Sequence, residues 1–108
     1  MLFSELHVVL EKYGWRLAEQ SDGPHKVYWY TKDAVFDEDY RPCISALVSH
    51  TNPPTVYCIE FQDPGTRTEM EYYPDKDGDS IQLADTWIEK LPWRPVVARR
   101  LDYSLSHA

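Results

Sequence analysis

CISALVS (43–49), TVYCIEF (55–61) and RTEMEYY (67–73) are three strand-like runs that decide the fold. They are separated by TNPP (51–54) and DPG (63–65), whose prolines and glycine are typical of turns. Short runs rich in apolar and β-branched residues, bounded by such turns, indicate strands that pair with their neighbours. The stretch from 43 to 73 therefore predicts an antiparallel meander.

Pairing these strands across their turns gives each of them one apolar face. The predicted register places Ile44, Ala46 and Val48 opposite Phe61, Ile59 and Tyr57, with Thr68, Met70 and Tyr72 continuing the same face. The other face is a mixture of serine, cysteine, glutamate and arginine. This alternation is expected of a sheet that packs one side against a core and leaves the other partly in water.

Helical spacing of apolar residues predicts a first helix over roughly residues 2–13, which Gly14 follows as a C-cap glycine would. A second helix is predicted over about residues 80–91. Asp79 is its expected N-cap, and Gln82 at the third helical position would complete a capping box.

A hairpin is predicted between these helices, ahead of the meander. Its strands are residues 15–20 and 25–32, joined by Ser-Asp-Gly-Pro. Pairing Gln20 with His25 would place Trp29 on the face opposite the core. The predicted fold class is thus α+β: a two-layer sandwich in which an antiparallel meander of about five strands carries an N-terminal and a C-terminal helix on one face. Residues 1–91 would form the single domain, and residues 92–108 an extended tail that could add an edge strand.

Composition restricts the class of protein. The 108 residues are 43% hydrophobic and 14% aromatic, which argues for a folded domain rather than disorder. A net charge of −7 opposes direct binding to nucleic acid or to an anionic membrane and attracts basic partners, although ordinary solubility would also account for it. No apolar stretch is long enough to span a membrane, and the N-terminus does not resemble a signal peptide. With two cysteines expected to stay reduced, the location predicted is cytoplasmic.

No set of residues predicts catalysis, a metal or a cofactor. DKDGDS (75–80) resembles a calcium loop. An EF-hand loop that starts at Asp75 needs glycine at position 6 and glutamate at position 12, but Ser80 and Thr86 occupy those positions. The histidines and cysteines lack zinc-ligand spacing. Cys58 and His50 could be imagined as a nucleophile and its base, but Cys58 lies in mid-strand, away from any group that would stabilise a thiolate. The chain is therefore predicted not to be an enzyme.

The acidic residues of the meander give the clearest functional signal. In the predicted register Glu60 lies opposite Glu69, and Glu71 continues the row; like charges opposed across strands are destabilising. Three explanations are open: Arg67 neutralises them, the register is wrong, or a basic partner neutralises them. The predicted partner-binding residues are carboxylates of this face and of two acidic loops, together with aromatic residues near them: Trp29, Asp33, Phe36, Asp37, Glu38, Asp39, Tyr40, Glu60, Glu69, Glu71, Asp75 and Asp77.

These features favour an acidic protein–protein binding module. By analogy of size and charge it would be an inhibitor, an immunity protein or an antitoxin, bacterial or phage-encoded, that occludes the basic nucleic-acid-binding surface of a partner protein. A homo-oligomeric assembly or adaptor subunit, for example a homodimer that meets through Trp29, is the alternative. A small enzyme or small-ligand binder with a pocket between helix and sheet is the third.

Overall fold

The structure is a computed structural model that describes residues 1–32 and 41–92. Its helices and strands follow the order α1 (Phe3–Lys12), β1 (Arg16–Asp22), β2 (Lys26–Thr31), β3 (Cys43–Val48), β4 (Val56–Asp63), β5 (Thr68–Tyr72), α2 (Pro74–Asp77) and α3 (Ile81–Glu89).

The five strands form one sheet in which each strand pairs antiparallel with the next, in the order β1-β2-β3-β4-β5. Together with the helices at the two ends of the described chain, this meander confirms the predicted α+β class. The division into a domain of residues 1–91 and a tail of residues 92–108 stays a prediction, because residues from 93 onward lie outside the description.

The core lies between the helices and one face of the sheet. Leu6 and Leu10 of α1 and Ala84 and Ile88 of α3 are buried against that face. The strand side chains that they meet are fully or almost fully buried: Tyr30, Ile44, Ala46, Val48, Val56, Ile59, Phe61 and Tyr72. Each large aliphatic side chain buried in this way stabilises the fold by about 1.5–3 kcal/mol, so this layer supplies most of the driving force for folding.

The helix boundaries follow the predictions closely, but one cap differs. Gly14, with φ of 83°, follows α1 in the left-handed conformation that favours glycine. Ser80, not Asp79, is the N-cap of α3, and no side-chain hydrogen bond caps that helix. The predicted capping box is therefore wrong, because Asp79 pairs instead with the Met1 ammonium group.

Pairing between β3 and β4 matches the prediction at two positions and then shifts. Ile44 lies opposite Phe61 and Ala46 opposite Ile59, as predicted. An irregularity between Leu47 and Val48 then brings Val48 opposite Val56. Since a bulge adds one residue to a strand, the side chains beyond it change faces. Tyr57, which was predicted to be buried, is consequently 43% exposed.

Pairing between β4 and β5 is offset by two residues from the prediction. Met70 lies opposite Phe61, because β4 continues to Asp63 and the connection to β5 is shorter than expected. An even offset keeps every side chain on its face. The predicted pair of Glu60 and Glu69 is nevertheless wrong: Glu71 is the residue opposite Glu60.

The first hairpin is longer than predicted. β1 continues to Asp22, which lies opposite Lys26, so the predicted pairing of Gln20 with His25 is wrong and Gln20 lies opposite Tyr28. The hairpin closes at Asp22 and Lys26, and regular pairing from there brings Glu19 opposite Trp29. An irregularity then shifts the pairing between Glu19 and Leu17.

Candidate functional site

The sheet face turned away from the helices carries the candidate site, and we call it the open face. One residue from each strand forms a row across it, and we call this the central row: Glu19, Trp29, Ser45, Glu60 and Glu71. With strands about 4.8 Å apart, the central row is about 19 Å long. It therefore places a tryptophan ring and three carboxylates on one surface.

The residues on either side of the central row differ in character. On one side Val27 pairs with Leu47, and Leu47 with Cys58, which gives an apolar strip. On the other side a polar row crosses the last four strands: Thr31, Cys43, Gln62 and Glu69. Leu47 and Val27 are half-buried. The open face thus combines an apolar strip with a line of acidic groups.

The carboxylates of the open face have no counter-ion within the described parts of the chain. Glu60 and Glu71 are directly opposed, at a Cβ separation of about 5 Å for such a pair. The ion pairs found in residues 1–32 and 41–92 join the Met1 ammonium to Asp79, His7 to Glu11 and Lys12 to Asp85, and all of these lie away from the open face.

Neither the Tyr73 hydroxyl nor Arg67 neutralises the negative charge of the central row. The Tyr73 hydroxyl donates to Glu71 Oε2 over 2.6 Å, which satisfies one acceptor without adding a positive charge. Arg67, which one of the alternatives made the neutralising residue, forms no ion pair with Glu60 or Glu69 in this structure of residues 1–32 and 41–92. The like charges of the central row therefore remain uncompensated by these groups.

The predicted partner-binding residues divide into three sets. Trp29, Glu60, Glu69 and Glu71 are brought together on the open face, where Trp29 and Glu60 are half-buried and the other two are exposed. Asp75 and Asp77 lie in α2. The acidic connection is outside the described residues, and with it Asp33, Phe36, Asp37, Glu38, Asp39 and Tyr40.

The two aspartates of α2 differ in what they contact. Asp77 Oδ2 accepts a hydrogen bond from the Tyr73 backbone N–H over 2.8 Å, so this carboxylate closes the turn that starts the helix. Asp75 is exposed. Sequence reasoning assigned both to binding, whereas the contact of Asp77 is a structural one.

Neither thiol has the surroundings of a nucleophile. Cys43 is half-buried, Cys58 is buried, and both are free. Burial raises the pKa of each thiol, and the nearby Glu60 carboxylate raises it further. A raised thiol pKa disfavours the thiolate, which is the reactive form.

A chain of three polar side chains links α1 to the sheet. His7 Nε2 lies 2.8 Å from Glu11 Oε1, and His7 Nδ1 lies 2.7 Å from the Tyr30 hydroxyl. The arrangement resembles an acid–base relay, but Tyr30 is fully buried and no substrate could reach its oxygen. Its contacts hold α1 on β2. The i,i+4 spacing of His7 and Glu11 was visible in the sequence, whereas the contact with Tyr30 was not.

Other kinds of site have little support in the part of the chain that is described. No three histidine, cysteine, aspartate or glutamate side chains there lie close enough together to hold a metal ion. Within the same ranges, no helix has the length and apolar content needed to cross a bilayer. An open depression of about 280 Å³ lies at the β4–β5 hairpin, lined by Gln62, Asp63, Pro64, Arg67, Thr68 and Glu69.

Comparison with known proteins adds no relative: family models, curated proteins and solved structures were all searched, and none matches this chain.

Proposed function

We propose that this chain is a non-enzymatic binding module whose open face docks onto a basic surface of a partner protein. The observation that carries the proposal is the central row, in which Glu60 and Glu71 are directly opposed with no cation beside them among the described residues. Departures from local electrostatic consistency tend to occur at functional sites.

A basic partner would relieve the cost of that row. Two glutamates facing each other across a pair of strands are destabilising by some tenths of a kcal/mol, up to about 1 kcal/mol. A lysine or arginine placed between them would replace this repulsion by attraction. Trp29 in the same row offers a ring face on which a guanidinium group could stack, a contact that contributes about 0.5–1 kcal/mol at exposed sites.

Charge also separates this proposal from self-association through the same face. A two-fold axis places the same surface of both copies against each other. A dimer through the open face would therefore bring one acidic row against another. The apolar strip and Trp29 suit a homo-oligomer, which remains the alternative. The carboxylates favour a partner of opposite sign.

The kind of partner proposed is a nucleic-acid-binding protein, which the module would inhibit as an immunity protein or antitoxin does. Carboxylates spaced along a surface can occupy a basic site that otherwise holds phosphates. A cytoplasmic location belongs to the proposal, supported by two cysteines that are not joined in a disulfide.

The test is the binding of an arginine-rich peptide as a function of salt concentration and of charge reversal. We expect affinity to fall steeply with ionic strength, and Glu60→Lys and Glu71→Lys each to weaken binding about tenfold. Glu89→Lys makes the same charge change at an exposed position on α3 and is the matched control, expected to change affinity about twofold or less. An affinity that does not change with salt concentration, or an equal loss of affinity in Glu89→Lys, contradicts the proposal.

A further inference from the structure

β5 is the last strand of the sheet and pairs with β4 on one side only. On its other side, no strand from residues 1–32 or 41–92 pairs with it. Such an edge presents backbone N–H and C=O groups that can pair with an extended segment of another chain.

The two edges of the sheet are not equivalent. β5 pairs with β4 without any irregularity, whereas β1 carries the shift between Leu17 and Glu19. Bulges discourage further strand pairing because they twist and interrupt the edge. The charges differ as well: β1 contains both signs, and β5 contains only Glu69 and Glu71.

Side chains alternate along β5 in a way that defines what could lie beside it. Glu69 and Glu71 are exposed and point to the open face. Met70, between them, is half-buried and packs against the core on the opposite face. A neighbouring strand would therefore meet two carboxylates on one of its faces and an apolar rim on the other.

We propose that β5 accepts an extended segment of the partner as a sixth strand, in which lysine or arginine residues alternate with apolar residues. The basic side chains would lie beside Glu69 and Glu71, and the apolar side chain between them beside Met70. Alternate residues of a strand are about 6.8 Å apart, so basic groups two residues apart match the spacing of the two glutamates. This inference rests on the proposed function and specifies the form in which the basic partner docks.

The carboxylates also set the specificity of this edge. A second copy of β5 would place glutamates beside glutamates, so the same side chains that oppose pairing between copies attract a basic strand. A charged edge strand is also a common protection against aggregation, and on that interpretation no strand would bind. The two interpretations predict different results with model peptides.

The test compares three heptapeptides with the same numbers of lysine and valine side chains, by calorimetry at low salt with the full chain. In the first, lysine alternates with valine; in the second, the lysines are grouped; the third is the first with methyl groups on the alternate backbone nitrogens that would face β5. We expect the first, unmethylated alternating peptide to bind at least about tenfold more tightly than either of the others. Only this peptide can both pair its backbone with β5 and place a lysine beside each glutamate.

Charge reversal locates the site and separates this inference from the proposed function. Glu69→Lys should weaken the alternating peptide about tenfold, while Glu89→Lys, the same charge change at an exposed position on α3, should not. If the three peptides bind equally, in a salt-dependent way that Glu60→Lys weakens, strand addition is overturned and docking on the open face stands. If none of them binds, both proposals are overturned.

Discussion

Gly78 occupies a position that no other residue could fill without strain. Its φ of 123° lies in a region that L side chains rarely adopt, and an added Cβ would lie 2.3 Å from Leu83 Cδ1. Its carbonyl oxygen accepts a hydrogen bond from the Tyr72 hydroxyl over 2.5 Å. The link from α2 to α3 therefore depends on this glycine.

We expect Gly78→Ala to lower the free energy of unfolding by about 1–3 kcal/mol, because it forces alanine into a backbone conformation that L residues rarely adopt. The exposed Leu83 side chain can move away from the added Cβ, so the contact with it adds little. Urea denaturation measures this. Gly23→Ala is the control: a Cβ there would only make ordinary contact with Ser21 Oγ at 3.7 Å, so its effect should stay within about 0.5 kcal/mol. Equal effects at the two positions would show that the positive φ of Gly78 does not matter.

The hydroxyl of Tyr30 is the second residue-scale test. Tyr30→Phe removes the hydrogen bond to His7 Nδ1 and should lower the free energy of unfolding by about 0.5–1.5 kcal/mol. Tyr57→Phe removes the same group from a side chain that is 43% exposed, and should be nearly neutral in the same denaturation experiment. A neutral Tyr30→Phe would mean that the relay does not stabilise α1 on the sheet.

At this scale the sequence predicted most of the strand residues that face the core and some of the exact pairs, such as Ile44 with Phe61. Ile59 and Phe61 are fully buried as predicted, because strict alternation fixes their face. Tyr57 was assigned to the core because nothing in the sequence marks the bulge before it. The partner of Glu60 changed from Glu69 to Glu71 because the length of the connecting turn was not determined by its residues.

At the scale of elements, a cluster of polar side chains joins α1 to α3. Its members are far apart in the chain, so the sequence does not indicate that they meet. Lys12 and Tyr13, at the end of α1, both donate to the Asp85 carboxylate of α3. The hydrogen bond from Lys12, followed by that from Tyr13, lowers the pKa of Asp85, and the same contact raises the pKa of Lys12. The spacing of apolar residues predicted both helices, whereas the contact between them is visible only in the structure.

This cluster gives the stability a defined pH dependence. Since the pKa of Asp85 is lowered in the folded state, its contribution is complete above the ordinary carboxyl pKa near 4 and is lost as pH falls through the folded value. Asp85→Asn should therefore be less stable than the parent at pH 7, with a difference that shrinks toward pH 2. Urea midpoints between pH 2 and 7 test this.

The matched control is Asp75→Asn, which removes a carboxylate from an exposed position in α2. It should change the urea midpoint little at any pH in that range. A pH-independent difference for Asp85→Asn would contradict the assigned cause.

For the whole molecule, the net charge of −7 and the acidic open face predict a monomer. Light scattering from micromolar to high protein concentration, at low salt, should give a constant mass of one chain. A stable dimer that Trp29→Ala dissociates would instead support the homo-oligomeric alternative.

The fold class followed from the sequence because hydrophobic periodicity and turn residues agreed along most of the chain. The binding face followed only in part. Trp29 and the three glutamates of the meander were chosen from composition and alternation. Glu19 joined the central row because the first hairpin closes at Asp22 and Lys26, an odd shift from the predicted register that moves Glu19 to the other face.

The order of the sheet, in which every strand lies beside its successor in the chain, has a consequence for synthesis on the ribosome. Each hairpin can close soon after its second strand emerges, because the contacts within it are local. The opening helix is different: the Phe3 N–H bonds to the Pro54 carbonyl, and the Val56 N–H bonds to the Met1 carbonyl. Met1 and Phe3 therefore find these partners only after the chain has been translated past residue 56.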